Sequence, residues 1–265
     1  SSPSTTVTDR HDRSPAPPPP LDTRVSGSDD DSGLQNVTNP TQNRGGGPVR
    51  PVSVARSAVR PSGGGLVAWP TDRRLERISR CVLGLVVFGV GLSLIIRAEL
   101  GLAPWDVFHQ GVADLVGLGI GTVIILTGLA LMLLWIPLRE RPGLGTILNA
   151  TVIGFTVGLT LPWVPELAAL PGRVTFLGVG VVMVAVGSAA YIGAGLGPGP
   201  RDGLMTGLAR RGLSIRMART GIEATVLLAG WMLGGPIGVG TAVFAFGIGP
   251  LVQLALPRLT VESST

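Results

Sequence analysis

The feature of this sequence that most restricts its fold is a series of five long stretches without a charged residue. They are 81–96, 115–138, 142–165, 174–200 and 224–257, and arginines and acids stand between them. A helix needs about 20 apolar residues to cross the roughly 30 Å hydrocarbon core of a bilayer. Buried helices of a water-soluble protein would need amphipathic surface helices around them, and none is visible. The sequence therefore predicts an all-α polytopic membrane protein.

The lengths of these stretches predict about six transmembrane helices, because 224–257 suits two short spans joined at 234–240. The spans are expected near 80–98, 118–137, 145–163, 174–194, 217–233 and 240–256. Only 14% of the residues are charged, against about 25% in an ordinary soluble domain. This shortage of charged side chains agrees with a chain that lies mostly in lipid.

The segment before the first span has a different composition. It contains much Ser, Pro, Gly and Asp, few apolar residues, and as many arginines as aspartates. Such a segment buries too little apolar surface to offset the entropy of ordering. We expect a disordered cytoplasmic tail at 1–72, a membrane domain at 73–258 and a short cytoplasmic tail at 259–265.

The distribution of arginine predicts the orientation, because short loops rich in Lys and Arg remain cytoplasmic. With the N-terminus inside, only Arg97 and Arg173 fall on the outer side. The cytoplasmic flanks then hold Arg73, Arg74, Arg77, Arg80, Arg139, Arg141, Arg201, Arg210, Arg211, Arg216, Arg219 and Arg258. All 21 basic residues are arginine, which is typical of a GC-rich bacterial coding sequence. We therefore expect a bacterial inner-membrane protein with both termini in the cytoplasm.

The second half of the membrane domain repeats the first. At an offset of 96, Gly84, Gly91, Gly101, Pro104, Asp106 and Gly111 fall on Gly180, Gly187, Gly197, Pro200, Asp202 and Gly207. After a one-residue slip, GLGT at 143–146 falls on GVGT at 238–241. The two units, about 78–170 and 174–258, each hold three spans. Since three is odd, the second unit must be inverted in the membrane, an arrangement found in many secondary transporters.

Both units contain a Gly- and Pro-rich break directly after an apolar stretch, GLAPWD at 101–106 and GLGPGPRD at 195–202. Pro and Gly disfavour a continuous helix, so we expect short interrupted or re-entrant segments at 104–117 and 200–212. Paired breaks of this kind indicate a shared central site. The candidates for the substrate pathway are Pro104, Asp106, His109, Pro198, Pro200, Arg201, Asp202 and Glu223.

The titratable candidates also have purely structural explanations, which the sequence leaves open. Asp106 and Asp202 suit an N-cap or first-turn position and would then only cap short helices. Glu223 is the deepest acid, which is typical of a cavity-facing group, yet it stands four residues after Arg219 and would form a local ion pair. His109 is either a proton relay or an ordinary interfacial histidine.

Several other functions are not supported. The single cysteine, Cys81, excludes an internal disulfide and a cysteine metal cluster, and we expect no metal and no cofactor. The run GLGIGT at 117–122 has neither a βαβ context nor a following GK[ST], so nucleotide binding is not expected. Inverted topology would separate the paired carboxylates, so we expect no enzyme.

The expected partners are lipids and a small solute. We expect Arg201, Arg210, Arg211 and Arg216 to contact anionic lipids of the inner leaflet, and no nucleic acid to bind. Gly-rich helix faces would permit close contact between protomers of a homo-oligomer.

Four segments carry a family resemblance: GLAPWDVFHQG, IPLRERPGLGTILN, YIGAGLGPGPRDGLMTGL and GIEATVLLAGWMLGGPIGVGTAVFAFGIGPL. They resemble the YczE-like branch of the YczE/YyaS/YitT bacterial integral membrane proteins, over about residues 75–257. The resemblance implies a polytopic inner-membrane protein in which residues 197–202 form the family's signature loop. It supplies no substrate.

Together these features predict a small-solute transporter or permease with its pathway at the interface of the two repeats. The alternative is a non-transporting membrane accessory or scaffold protein, favoured by the scarcity of buried charge. A cavity lined by both breaks would favour the transporter, whereas an interface filled with Leu and Val would favour the scaffold.

Overall fold

The computed structural model describes residues 72–261, which form eight α-helices and one 3-10 turn and, within that range, no strand. The helices are α1 (Arg74–Ala98), α2 (Pro104–Val116), α3 (Ile120–Leu138), α4 (Leu144–Thr160), α5 (Leu170–Gly193), α6 (Pro200–Ala209), α7 (Ile215–Met232) and α8 (Val239–Leu259), and the 3-10 turn Leu161–Trp163 follows α4. The predicted disordered tail lies almost wholly outside the described residues, as do residues 262–265.

Five of the described helices are long and apolar enough to cross a membrane: α1, α3, α4 with its 3-10 turn, α5 and α8. The prediction of an all-helical protein with several apolar spans is therefore confirmed. The remaining predicted span, 217–233, coincides with α7, which is not among the five. Helix α7 is 18 residues long and carries Arg216, Arg219 and Glu223, which lower its hydropathy.

The helix starts follow the spacing of the sequence repeat. Helices α5 and α6 begin 96 residues after α1 and α2, and α7 and α8 begin 95 residues after α3 and α4. The two offsets are those at which the glycines, prolines and acids of the sequence coincide. The same order of long helix, break, short helix and two further helices thus occurs twice.

Helices α1 and α5 form the core, and they lie antiparallel in close contact. A Cβ atom on Gly84 would lie 2.8 Å from the carbonyl oxygen of Gly187, and one on Gly91 would lie 2.8 Å from that of Gly180. Small residues let helix backbones approach this closely in membranes. Gly84, Gly91, Gly180 and Gly187, which pair at the offset of 96, are thus the points of closest approach between the two helices.

Two arginines connect the ends of this helix pair. Arg77, in the first turns of α1, donates from Nη1 to the carbonyl oxygen of Ala194 at 3.0 Å. Arg173, in α5, donates from Nε to the carbonyl oxygen of Ala98 at 2.7 Å. The last carbonyls of a helix have no partner within the helix, so each arginine satisfies an acceptor at the C-terminal end of the opposite long helix.

Each break is a turn that packs on the start of a helix in the other half of the chain. Gly101 has φ +106° and Gly197 has φ +122°, conformations that L side chains rarely adopt. Gly240, at the start of α8, donates its N–H to the carbonyl oxygen of Leu100 at 2.7 Å, and Gly145, at the start of α4, donates to that of Leu196 at 2.9 Å. Gly101 and Gly197 of the breaks and the glycines of the GxGT motifs thus lie in close backbone contact with each other's segments.

The two halves differ in how their last two helices pack. Helix α3 packs along α4, whereas α7 packs mainly against α2 and α6 and not along α8 within the described residues. A Cβ on Gly128 of α3 would lie 3.0 Å from the Cβ of Ala150 in α4. The residue 95 positions after Gly128 is Glu223, which has a much larger side chain. Helices α7 and α8 do not pack along each other within the described residues.

Candidate functional site

The two breaks meet at a cavity of about 340 Å³, which we call the central cavity. Both short helices begin there, since Ala103 and Pro104 of the first break and Gly199 of the second line it. Trp105, which follows Pro104, is in contact with Arg201, which follows Pro200. The guanidinium carbon of Arg201 lies 5.2 Å from the ring centroid of Trp105. This distance is within the range of a cation–π interaction. The position of the cavity agrees with the central site that the paired breaks predict.

The other walls come from α5, α6, α7 and α8, from one residue of α1 and from two residues of α4. The polar side chains among them are Asn149, Ser188, Tyr191, Asp202, Arg219, Glu223 and Gln253, and apolar side chains that include Phe88, Val184 and Phe244 complete the lining. The cavity lies where α7 and α8 separate. A Cβ on Gly154 of α4 would meet the backbone of Gly121, but one on its counterpart Gly249 of α8, which lines the cavity, would meet nothing within 4 Å.

The second break is held in place by side chains that the sequence analysis did not single out. The hydroxyl of Tyr191 donates to Oδ2 of Asp202 at 3.0 Å. The indole Nε1 of Trp135 donates to the carbonyl oxygen of Pro200 at 3.0 Å. Tyr191 is the only tyrosine of the chain and lies in an apolar helix. This position was the one feature of the sequence that could have indicated a specific role for Tyr191.

The first break holds a buried pair instead. Asp106 and His109 are each 2% exposed, and Nδ1 of His109 lies 3.2 Å from Oδ1 of Asp106. Neither residue lines the central cavity. A second, smaller space of about 20 Å³ is bordered by His109, Trp105, Asn149 and Arg201, which is enough for about one water molecule.

Neither acid caps its short helix with its side chain. The N-cap residues are Ala103 and Gly199, and neither makes a side-chain cap hydrogen bond. Asp106 and Asp202 instead lie in the first turn, where an acid interacts favourably with the helix dipole. Their side chains bond to His109 and Tyr191, so the two acids differ in environment although their sequence positions match.

Both interpretations of Glu223 agree with its surroundings. Its Oε1 lies 3.1 Å from Nε of Arg219, and both side chains line the central cavity. Pro198, by contrast, does not line the cavity; its carbonyl oxygen accepts a hydrogen bond from Oγ1 of Thr146 at 2.7 Å. Pro198 therefore acts in the packing of the break.

The four arginines that we expected to contact anionic lipids differ from one another in their surroundings. Arg201 lines the central cavity. Arg210 forms an ion pair with Glu140 at 3.2 Å, Arg211 donates to the carbonyl oxygen of Pro137, and Arg216 is exposed. Among the described residues, no group of three His, Cys, Asp or Glu side chains is placed to hold a metal ion.

We expect Thr146→Val to lower the free energy of unfolding by about 2 kcal/mol, because it leaves the carbonyl of Pro198 and the N–H of Gly143 without a partner. The hydroxyl of Thr146 bonds to both, with Gly143 N at 3.1 Å. Thr241→Val is the matched control, since Thr241 accepts from Gly238 N at 3.2 Å and donates to no carbonyl among the described residues. Denaturant unfolding in detergent would measure both, and equal losses would contradict the anchoring role of Thr146.

The chain is similar to several uncharacterized bacterial proteins. Residues 75–257 match a family described as a family of unknown function, DUF6198. The chain is 42% identical over 182 residues to an uncharacterized protein of Haemophilus influenzae, covering 68% of this chain and 84% of that protein. It is 36% identical over 179 residues to the uncharacterized membrane protein YczE of Bacillus subtilis, covering 66% and 83%. It is 28% identical over 182 residues to the uncharacterized protein YyaS of the same organism, covering 66% and 90%. No solved structure matches the chain.

Proposed function

We propose that this chain, which belongs to the family of unknown function DUF6198, is a small-solute transporter or permease. The description of that family states no activity, so the proposal rests on the candidate site. The solute passes through the central cavity. The observation that carries the proposal is that both helix breaks begin short helices at one cavity of about 340 Å³. Breaks that converge on a central site are typical of secondary transporters.

We further propose that the two halves are inverted repeats. Three observations support this arrangement. The helix starts recur at offsets of 96 and 95. Arg77 and Arg173 make reciprocal bonds to Ala194 and Ala98, and all four residues are related by the offset of 96. The glycine contacts between α1 and α5 are reciprocal too, because Gly84 lies against Gly187 and Gly91 against Gly180. An approximate two-fold axis requires such reciprocal contacts.

The proposed orientation places both termini in the cytoplasm and the protein in the bacterial inner membrane, with α7 as the sixth span. The asymmetry of arginine supports it. Single cysteines at Glu166 and Arg210 test it. An impermeant thiol reagent should label Glu166→Cys only in right-side-out vesicles and Arg210→Cys only in inside-out vesicles, and the reverse pattern would reject the orientation.

The transport proposal predicts that one cavity residue is reached by water from both faces of the membrane. Ser188 lines the central cavity, so we expect an impermeant maleimide to label Ser188→Cys in both right-side-out and inside-out vesicles. The native Cys81 is 0% exposed and provides the internal control, since the unmodified chain should remain unlabelled in both preparations.

The same experiment distinguishes the alternative function. A non-transporting accessory or scaffold protein has no need of a site that opens to both faces. Labelling of Ser188→Cys from one face only, or from neither, would therefore contradict transport and favour the scaffold.

A further inference from the structure

We propose that the solute of the central cavity is a small organic anion whose carboxylate binds Arg201. This inference rests on the proposed transport function and adds to it the chemical class of the solute. It follows from a guanidinium of the cavity lining that forms no ion pair among the described residues, from a buried donor beside it that lacks an acceptor there, and from two helix N-termini at the cavity.

Arg201 is the cation of the lining that forms no ion pair within the described residues. Its guanidinium also makes no hydrogen bond within residues 72–261, and it stacks on Trp105. The other cation, Arg219, pairs with Glu223 at 3.1 Å, whereas Asp202, which likewise forms no ion pair in this part of the chain, accepts a hydrogen bond from Tyr191 at 3.0 Å. A planar guanidinium with free N–H donors matches the geometry of a carboxylate.

A second donor next to Arg201 also lacks an acceptor. Trp105 lines the cavity and is 6% exposed, and its Nε1 is buried without a hydrogen-bond partner among the described residues. A buried donor without an acceptor is unfavourable, and a ligand with an acceptor oxygen would satisfy it. Trp105 and Arg201 occupy matching positions of the two halves, so the two breaks contribute one donor group each.

The backbone around these donors also favours negative charge. Helices α2 and α6 both begin at the cavity, with Pro104 and Pro200 at their first positions. The N-terminus of a helix carries a partial positive charge, of about half an elementary charge. Asp106 and Asp202 lie in the first turns and partly offset this charge. Neither helix has a side-chain cap hydrogen bond at this end, so its first backbone N–H groups remain as donors toward an anion at Arg201.

The remaining lining distinguishes a carboxylate from an inorganic anion. The charged side chains of the lining, Arg201, Arg219, Asp202 and Glu223, sum to zero, and the two carboxylates repel a dianion of phosphate more strongly than a monoanion. Phe88, Val184 and Phe244 supply an apolar wall for an organic body. A cavity of this size and lining suits a small monocarboxylate.

Thermal unfolding of the purified full-length chain in detergent tests the proposal. The probes are acetate, butyrate and benzoate, with benzamide, benzylamine and inorganic phosphate as controls for shape and charge. We expect at least one carboxylate to raise Tm in proportion to the logarithm of its concentration, and benzamide, benzylamine and phosphate to have no such effect.

Variants identify the site. Arg201→Gln should weaken binding of the active carboxylate by about 10-fold or more, and Trp105→Phe, which retains the ring, by about 3-fold or more. Arg201→Lys, which keeps the charge but not the fork of donors, should fall between wild type and Arg201→Gln. Arg216→Gln is the matched control, because Arg216 is exposed and lies outside the cavity lining, and it should bind as wild type.

Each opposite result overturns the inference. Stabilisation by benzylamine or phosphate instead of a carboxylate, no stabilisation by any carboxylate, or equal binding by Arg201→Gln and Arg216→Gln would reject it. Labelling of Ser188→Cys from both faces without a carboxylate effect would reject this solute class and leave transport supported. Carboxylate binding with one-sided labelling would reject transport and leave the site supported.

Discussion

Replacing Gly187 with valine is expected to remove most of the folded protein from the membrane. A Cβ at this position would lie 2.7 Å from the backbone nitrogen of Phe88 and also against the carbonyl oxygen of Gly84. Because both obstacles are backbone atoms, the side chain cannot be accommodated without separating α1 from α5. We expect a loss of about 3 kcal/mol or more, as for severe overpacking of a core. The amount of monodisperse protein after detergent extraction measures it.

Gly178→Val is the matched control for this substitution. It lies in the same helix, and a Cβ there would meet no atom within 4 Å. Both variants place a β-branched residue in α5, so a difference between them reports the contact with α1 alone. Equal yields of Gly187→Val and Gly178→Val would show that the close approach of the two helices is not required for folding.

Arg77→Ala is expected to have the second large effect, a loss of about 3 kcal/mol in the free energy of unfolding. The side chain is 4% exposed, and its Nη2 lies 3.1 Å from Oδ2 of Asp72. Its removal leaves the carbonyl oxygen of Ala194 without this donor, directly before the second break. Thermal or denaturant unfolding in detergent would measure the loss.

Arg74→Ala controls for the removal of one arginine from the first turn of α1. Arg74 is exposed, and no hydrogen bond or ion pair of its side chain occurs within residues 72–261. We expect its effect to be within about 0.5 kcal/mol, and Arg77→Lys to recover only part of the lost stability because Lys lacks the planar fork of donors. A similar stability of Arg77→Ala and Arg74→Ala would contradict the capping role.

Local features of the fold could be predicted from the sequence because they depend on neighbouring residues. Pro104 and Pro200 begin their helices as expected of proline at a first helical position. The two GxGT motifs lie at the starts of α4 and α8, where the hydroxyls of Thr146 and Thr241 accept from the N–H of the first glycine of the motif, three residues earlier. Such signals act within one turn and need no knowledge of tertiary packing.

The contacts that build the candidate site could not be predicted in the same way. Trp105 meets Arg201 only because the packing of α1 on α5 brings the two breaks together. Tyr191 reaches Asp202 across the second break, and the path of a break is not set by a regular helical period. The sequence analysis counted Arg77 and Arg173 only as charges, although their offset of 96 was a visible signal of paired roles.

The separation of α7 from α8 has a consequence for the response of this protein to its membrane. Few residues of these helices are buried, namely Ala218 and Gly230 in α7 and Gly240 and Thr241 in α8. In a bilayer their remaining surface is covered largely by acyl chains, so hydrocarbon thickness and lateral pressure enter the energy of their tilt. The α1–α5 pair, in contact through its backbones, resists the same forces. We therefore expect lipid composition to change the width of the central cavity through the tilt of these two helices.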